Sequence, residues 1–185
     1  MSANVETISR EKSFKLVAIL RPAAAAPESG RDGRMEVSYL ETLGLIERLN
    51  VRLLDVVRDE LERHGIRTIN NVQALLLFNL GDEQLSAGQL RSRGCYLGSN
   101  VTHTLKKLVA LGFLVHEKSE SDHRLILVRL TKEGMRVRDI LRNGFEDHLK
   151  SLEPVASVGT SELAEANTSL SRLEHFWRDR VRDGL

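Results

Sequence analysis

From Glu36 to about Arg63 the apolar residues Leu40, Leu43, Ile46, Leu49, Leu53, Val57 and Leu61 recur at steps of three and four. Residues so spaced share one side of a helix, which predicts a single helix of roughly seven turns with Glu47, Arg48, Arg52, Asp55 and Asp59 off the stripe. Gly65 ends it. The other end of the chain repeats the pattern. Thr131 is placed to cap a helix from Lys132 to about Leu152, broken by Pro154, and a last helix from Ser161 to about Arg182 carries Leu163, Ala166, Leu170, Leu173, Phe176 or Trp177, and Val181. Three long helices hold more apolar stripe than a small domain can cover, and the excess implies a second subunit.

Between these helices the punctuation is denser. Thr68 reads as the N-cap of a helix over Ile69–Leu80, with Val72, Leu75, Leu76 and Phe78 largely buried and Gly81 closing it. Leu85-Ser86 opens a short helix through Leu90 and Arg93, Gly94 and Gly98 bracket a tight turn, and Ser99 caps a further helix from Asn100 to Leu111 that Gly112 stops. Two short helices on a glycine-bearing turn make a helix-turn-helix. Phe113 to His116 and Leu125 to Leu130 then read as two strands around the polar tract Glu117 to Arg124, a β-hairpin with a long tip.

The expected fold is therefore mainly α with a small β-hairpin wing: a winged helix-turn-helix with long N- and C-terminal dimerisation helices. Residues 1–34 are read as a flexible N-terminal extension, 35–66 as a dimerisation helix, 67–131 as the winged helix-turn-helix lobe and 132–185 as C-terminal dimerisation helices. Phe14 to Leu20 is apolar enough to suggest a signal peptide, but Glu6, Glu11 and Lys15 spoil the pattern. No run reaches the roughly 18 apolar residues of a membrane span, so no membrane partner and a cytoplasmic location are expected.

On the helix after Ser99, Val101, Leu105 and Leu108 cluster on one side at about 100° per residue. The other side offers Ser99, Asn100, Thr102, His103, Lys106 and Lys107. These are hydrogen-bonding and cationic groups long enough to reach base edges and phosphates in a major groove, and the helix N-terminus near Ser99 and Asn100 adds a phosphate site. Charge agrees. The whole chain carries only +1, with 27 basic and 26 acidic residues. From Leu85 to Thr131, however, seven basic residues (Arg91, Arg93, Lys106, Lys107, Lys118, Arg124, Arg129) face three acidic ones (Glu117, Glu120, Asp122), a local +4 against −3 for the remainder.

The stretch Glu120-Ser121-Asp122-His123-Arg124-Leu125-Ile126-Leu127-Val128-Arg129-Leu130-Thr131-Lys132-Glu133-Gly134 resembles the wing of MarR-type transcriptional regulators, in which an Asp-x-Arg tip precedes a strand ending in Leu-Thr. Leu105 to Leu114, a leucine-rich turn followed by Gly112 and an apolar strand, is similar to the same family's recognition-helix exit. The resemblance, over roughly Glu36 to Arg182, implies a homodimer binding double-stranded DNA at a palindromic operator. It further implies that Arg124 enters the minor groove and that Asp122 orients the wing tip. A guanidinium at a loop tip suits a narrow, negative groove on independent grounds. A small lipophilic or phenolic effector is also implied, in a crevice for which Tyr39, Leu61, His64 and Phe78 are candidates, each otherwise explained as core packing.

Other chemistry finds little support. The single cysteine, Cys95, excludes an intrachain disulfide and multi-cysteine metal sites, and it reads best as a small buried hydrophobe. Gly94 to Gly98 lacks the Gly-Lys-Ser/Thr ending of a phosphate loop, and no Gly-x-Ser-x-Gly elbow occurs. His116-Glu117 opens like a zinc-protease motif, but Glu120 stands where the second histidine belongs. No catalytic residue, metal or cofactor is expected. The alternative to a DNA-binding regulator is a dimeric winged-helix protein-interaction module without DNA binding.

Overall fold

A computed structural model of the chain describes residues 31–92, 101–118 and 126–183. Helix α1 (Arg31–Arg63) includes residues 31–35, ahead of the start expected at Glu36. Adding residues to a formed helix costs far less than nucleating one, so the stretch carries Gly33. The apolar stripe divides along its length. Val57 and Leu61 are buried in the core, while Leu49 and Leu53 on the same stripe are 62% and 41% exposed. Glu47 departs from the expected pattern: it is half-buried, and its Oε2 has no hydrogen-bond partner among the described residues.

After Gly65, Asn70 caps α2 (Asn71–Leu80), where the sequence pattern pointed to Thr68. Asn70 Oδ1 accepts from the Gln73 backbone N–H at 2.9 Å, and Gln73 Oε1 accepts from the Asn70 N–H at 3.1 Å. This reciprocal capping box satisfies two otherwise orphaned donors, which Thr68, with Asn71 three residues on, could not arrange. The cap position also sets the buried face. Ala74, Leu76, Leu77 and Leu80 are inside, whereas Val72, Leu75 and Phe78 are only half-buried. Asn71 Nδ2 donates to the Leu54 carbonyl at 2.9 Å and ties α2 to α1.

Leu85–Ser86 forms a strand, β1, and not the first turn of a helix; α3 (Ala87–Ser92) follows it. α4 (Val101–Ala110), β2 (Leu114–Lys118) and β3 (Ile126–Leu130) complete the lobe. The three strands form an antiparallel sheet in the order β1-β3-β2. Leu85 pairs with Val128 and Ser86 with Leu127, while β2 pairs with β3 from Leu114 opposite Leu130 to Lys118 opposite Ile126. Ser86 serves two elements. It ends β1 and caps α3, its Oγ accepting from the Gln89 N–H at 3.2 Å while its N–H donates to Gln89 Oε1 at 2.8 Å.

Thr131 caps α5 (Lys132–Ala156). Pro154 lies inside this helix, where a break had been expected; its ring removes one backbone donor, but the helix ends only at Ala156, with Ser157 left-handed at φ 54°. α6 (Thr160–Asp183) is exposed along most of its length, with Leu173 and Trp177 half-buried. Trp177 Nε1 donates to the Tyr39 hydroxyl at 3.1 Å, joining α6 to the first third of α1. The fold is thus mostly helical with one small sheet, and its core lies between the second half of α1, α2, α4, the sheet and the start of α5.

Candidate DNA interface

α4 is held on one side by Val101, Leu105 and Leu108, which are 3%, 4% and 0% exposed. At helical pitch that anchors every residue between them. Thr102, His103, Lys106 and Lys107 come out on the solvent side, all exposed, with no acidic residue in the first turn. Four of the six residues predicted on this helix therefore share one outward face. Ser99 and Asn100 lie outside the described residues, as do Asp122 and Arg124 of the wing tip, and Cys95.

The end of α4 is fixed by backbone chemistry. Gly112 sits at φ +79°, a conformation that other residues adopt at a cost, and its N–H donates to Val109 O at 3.0 Å while the Phe113 N–H reaches back to Leu108 O at 3.0 Å. Thr131 then clasps this turn. Its hydroxyl donates to Gly112 O at 2.6 Å and accepts from the Gly134 N–H at 3.2 Å, and its own N–H donates to Phe113 O at 3.0 Å. Gly134 lets the first turn of α5 lie directly on this carbonyl, since a Cβ there would stand 2.2 Å from Phe113 O.

Two polar clusters of the folded chain were not visible in the sequence. Glu117 on β2 accepts hydrogen bonds from Arg129 on β3 and from Gln84 Nε2, the latter at 2.7 Å, so one carboxylate links the two wing strands to the approach to β1. Arg138 on α5 is 7% exposed and donates to Asp82, at the turn after α2, and to Asp139 Oδ1 at 3.0 Å. The hydrogen bond to Asp82 raises the Arg138 pKa above its ordinary value, against the opposing effect of burial. Neither cluster leaves a local signature, because its members are 33 and 56 residues apart for Gln84–Glu117 and Asp82–Arg138.

The four effector candidates have separate surroundings. Leu61 is a core residue at 2% exposure, and Phe78 meets Phe145 edge-on with ring centres 5.1 Å apart. Tyr39 accepts from Trp177, and His64 is exposed with Nδ1 3.0 Å from the Glu60 carbonyl. A narrow cleft between α1 and α5 is lined by Val56, Val57, Glu60, Leu141, Gly144, Phe145 and His148; it has no room for a water molecule, and none of the four lines it. Among the described residues no group of three or more His, Cys, Asp or Glu side chains is placed to hold a metal ion, and no helix is long and apolar enough to cross a membrane.

Comparison with known proteins decides the family. Residues 67–125 match the model of the MarR family. Over 169 residues the chain is 32% identical to the exopolysaccharide II synthesis transcriptional activator ExpG of Rhizobium meliloti, covering 89% of this chain and 85% of that one. The chain belongs to the MarR family. It is a MarR-type winged-helix transcriptional regulator, as the wing residues led one to expect. Solved structures share the fold. Streptococcus pneumoniae FabT, in complex with DNA, superposes with a TM-score of 0.60 at 18% identity, over 76% of this chain and 98% of that one. Staphylococcus aureus MarR, in complex with salicylate and kanamycin, gives 0.62 at 17% identity, over 79% and 96%.

Proposed function

We propose that this MarR-type regulator is a homodimer that binds a palindromic operator in double-stranded DNA, with α4 in the major groove of each half-site. The observation that carries the reading is the face of α4, where Thr102, His103, Lys106 and Lys107 stand exposed opposite a fully buried Val101-Leu105-Leu108 anchor. Lys106 and Lys107 neutralise phosphates, which supplies affinity, while His103 and Thr102 meet base edges, which supplies choice of sequence. Ser99 and Asn100 add phosphate contacts at the start of the recognition helix, and Arg124, oriented by Asp122, enters the minor groove. FabT, a structural neighbour, is described in complex with DNA.

The second subunit covers apolar surface that one chain leaves open. Leu45, Leu49 and Leu53 on α1 and Leu163, Leu170, Phe176 and Val181 on α6 are all exposed in the single chain. Two such surfaces, brought together about a twofold axis, bury one another and place two α4 helices for one operator. The complex with salicylate in Staphylococcus aureus MarR supports a small phenolic or lipophilic effector here as well, with Tyr39, Leu61, His64 and Phe78 as the candidate contacts. The protein acts in the cytoplasm, on DNA, and performs no catalysis. The test is a gel shift on genomic fragments selected by the purified protein. Binding is expected to be lost or strongly weakened in His103→Ala and Arg124→Ala; unchanged binding in both would overturn this assignment of contacts.

A further inference from the structure

The segment from β1 through α4 has two chain connections to the rest of the molecule, and besides the pairing of β1 with β3, residues of α5 contact both connections. At the C-terminal connection, Thr131 and Gly134 clasp the Gly112–Phe113 turn as described above. At the N-terminal connection the chain leaves α2, turns at Gly81 and Asp82, and enters β1 at Leu85. There Arg138 of α5 reaches it, donating to Asp82. The two partners are unlike. The Arg138 side chain is 9% exposed, and that of Asp82 is 76% exposed.

An exposed aspartate gains little stability from an ion pair, whereas a buried guanidinium needs carboxylates placed with good geometry. Arg138 has two: Asp139, its neighbour on the same helix, and Asp82, across the junction. Asp139 alone would accompany the arginine wherever α5 went. Asp82 is the partner that carries positional information, because it couples the helix to the turn that aims β1 and, through the Ser86 cap, α3. A planar fork of donors defines direction as well as distance, which an ammonium does not.

We infer that Arg138 and Asp82 form a positioning pair that sets the angle of the reading lobe on α5, and thereby the fit of α4 to its operator. The inference rests on the DNA-binding reading above. Neither residue touches DNA in this account. Both act through the placement of α3 and α4, so their loss should blunt discrimination among sequences more than it weakens attraction to DNA in general.

The experiment uses the full-length protein and two DNA probes: a selected operator fragment and an unrelated fragment of equal length. Fluorescence anisotropy gives the affinity for each, and circular dichroism checks that every variant is folded at the assay temperature. Asp82→Ala is the main variant because the side chain is exposed and its removal leaves the core intact. Operator affinity is expected to fall by about 5- to 20-fold while affinity for the unrelated fragment stays within about twofold. Asp82→Glu, which restores the carboxylate, should recover most of the loss, and Arg138→Lys, which keeps charge but not the fork, should resemble Asp82→Ala. Equal affinity for the operator in Asp82→Ala and wild type would overturn the pair, as would an equal loss on both probes, or a loss that tracks only the unfolded fraction. A wild-type protein with no preference between the probes would instead overturn the DNA-binding reading, before any variant is compared.

Discussion

At the scale of single residues, there are a few places where one atom more or less decides the packing. Gly134 is the sharpest. A methyl group there would lie 2.2 Å from the Phe113 carbonyl and 3.1 Å from Leu130 Cδ2, and backbone cannot yield as a flexible side chain can. Gly134→Ala is expected to lower stability by about 1–3 kcal/mol in urea melts, with DNA affinity falling as well because the turn after α4 must move. Gly88 gives the contrast. Its added Cβ would meet only Ser86 Oγ at 3.8 Å, so Gly88→Ala should stabilise the same melt by up to about 1 kcal/mol. A Gly134→Ala variant as stable as wild type would contradict the packing described for α5. Thr131→Ala removes a cap and the clasp on Gly112 together, a loss of about 1–2 kcal/mol.

Among elements, α4 is the place where affinity and choice separate in the proposed reading. Removing Lys106 or Lys107 should reduce the slope of log affinity against log salt by about 1 for each lysine that meets a phosphate, on operator and unrelated DNA alike, whereas His103→Ala should leave the slope unchanged and alter the preferred sequence. Equilibrium titrations at several salt concentrations distinguish the two patterns. α6 offers a smaller, pH-dependent effect. A hydrogen bond from Arg178, one turn along the helix, holds the Glu174 carboxyl below its ordinary pKa. A depressed carboxylate stabilises the helix above its unfolded value, and that contribution is lost as pH falls through the lowered one. Helicity by circular dichroism should therefore drop less between neutral and acid pH in Glu174→Gln than in wild type, by a small amount because the pair is exposed.

The same elements show what a sequence displays and what it hides. The face of α4 could be read because three buried apolar residues at helical spacing dictate where Thr102, His103, Lys106 and Lys107 must point. The cap at Thr131 could be read for a similar reason, since a hydroxyl before a polar first turn has a local task. The cap of α2 was also written locally, as Asn70 and Gln73 three residues apart, but Thr68 offered a competing signal. β1 could not be read. Two residues, Leu85 and Ser86, are too few to alternate, and their strand character comes from pairing with Val128 and Leu127, more than 40 residues on. Arg138 is one charge among several on α5 in the sequence; its burial and its pairing with Asp82, 56 residues away, are properties of the tertiary fold.

For the molecule as a whole, the division of exposure along α1 and α6 is the feature that a single chain does not explain. The last turns of α1 enter the core at Val57 and Leu61, while Leu45, Leu49 and Leu53 ahead of them and Phe176 and Val181 on α6 stand in solvent. Phe176→Glu is expected to shift sedimentation from dimer toward monomer and to weaken operator binding with it; a dimer of unchanged affinity would move the interface elsewhere. Whether a symmetric dimer reads DNA with α4 is decided by hydroxyl-radical footprinting of the wild-type protein on a selected operator. Two protected half-sites related by twofold symmetry are expected, with centres about one helical turn apart. Protection of a single half-site, or a uniform footprint that is indifferent to sequence, would contradict this arrangement.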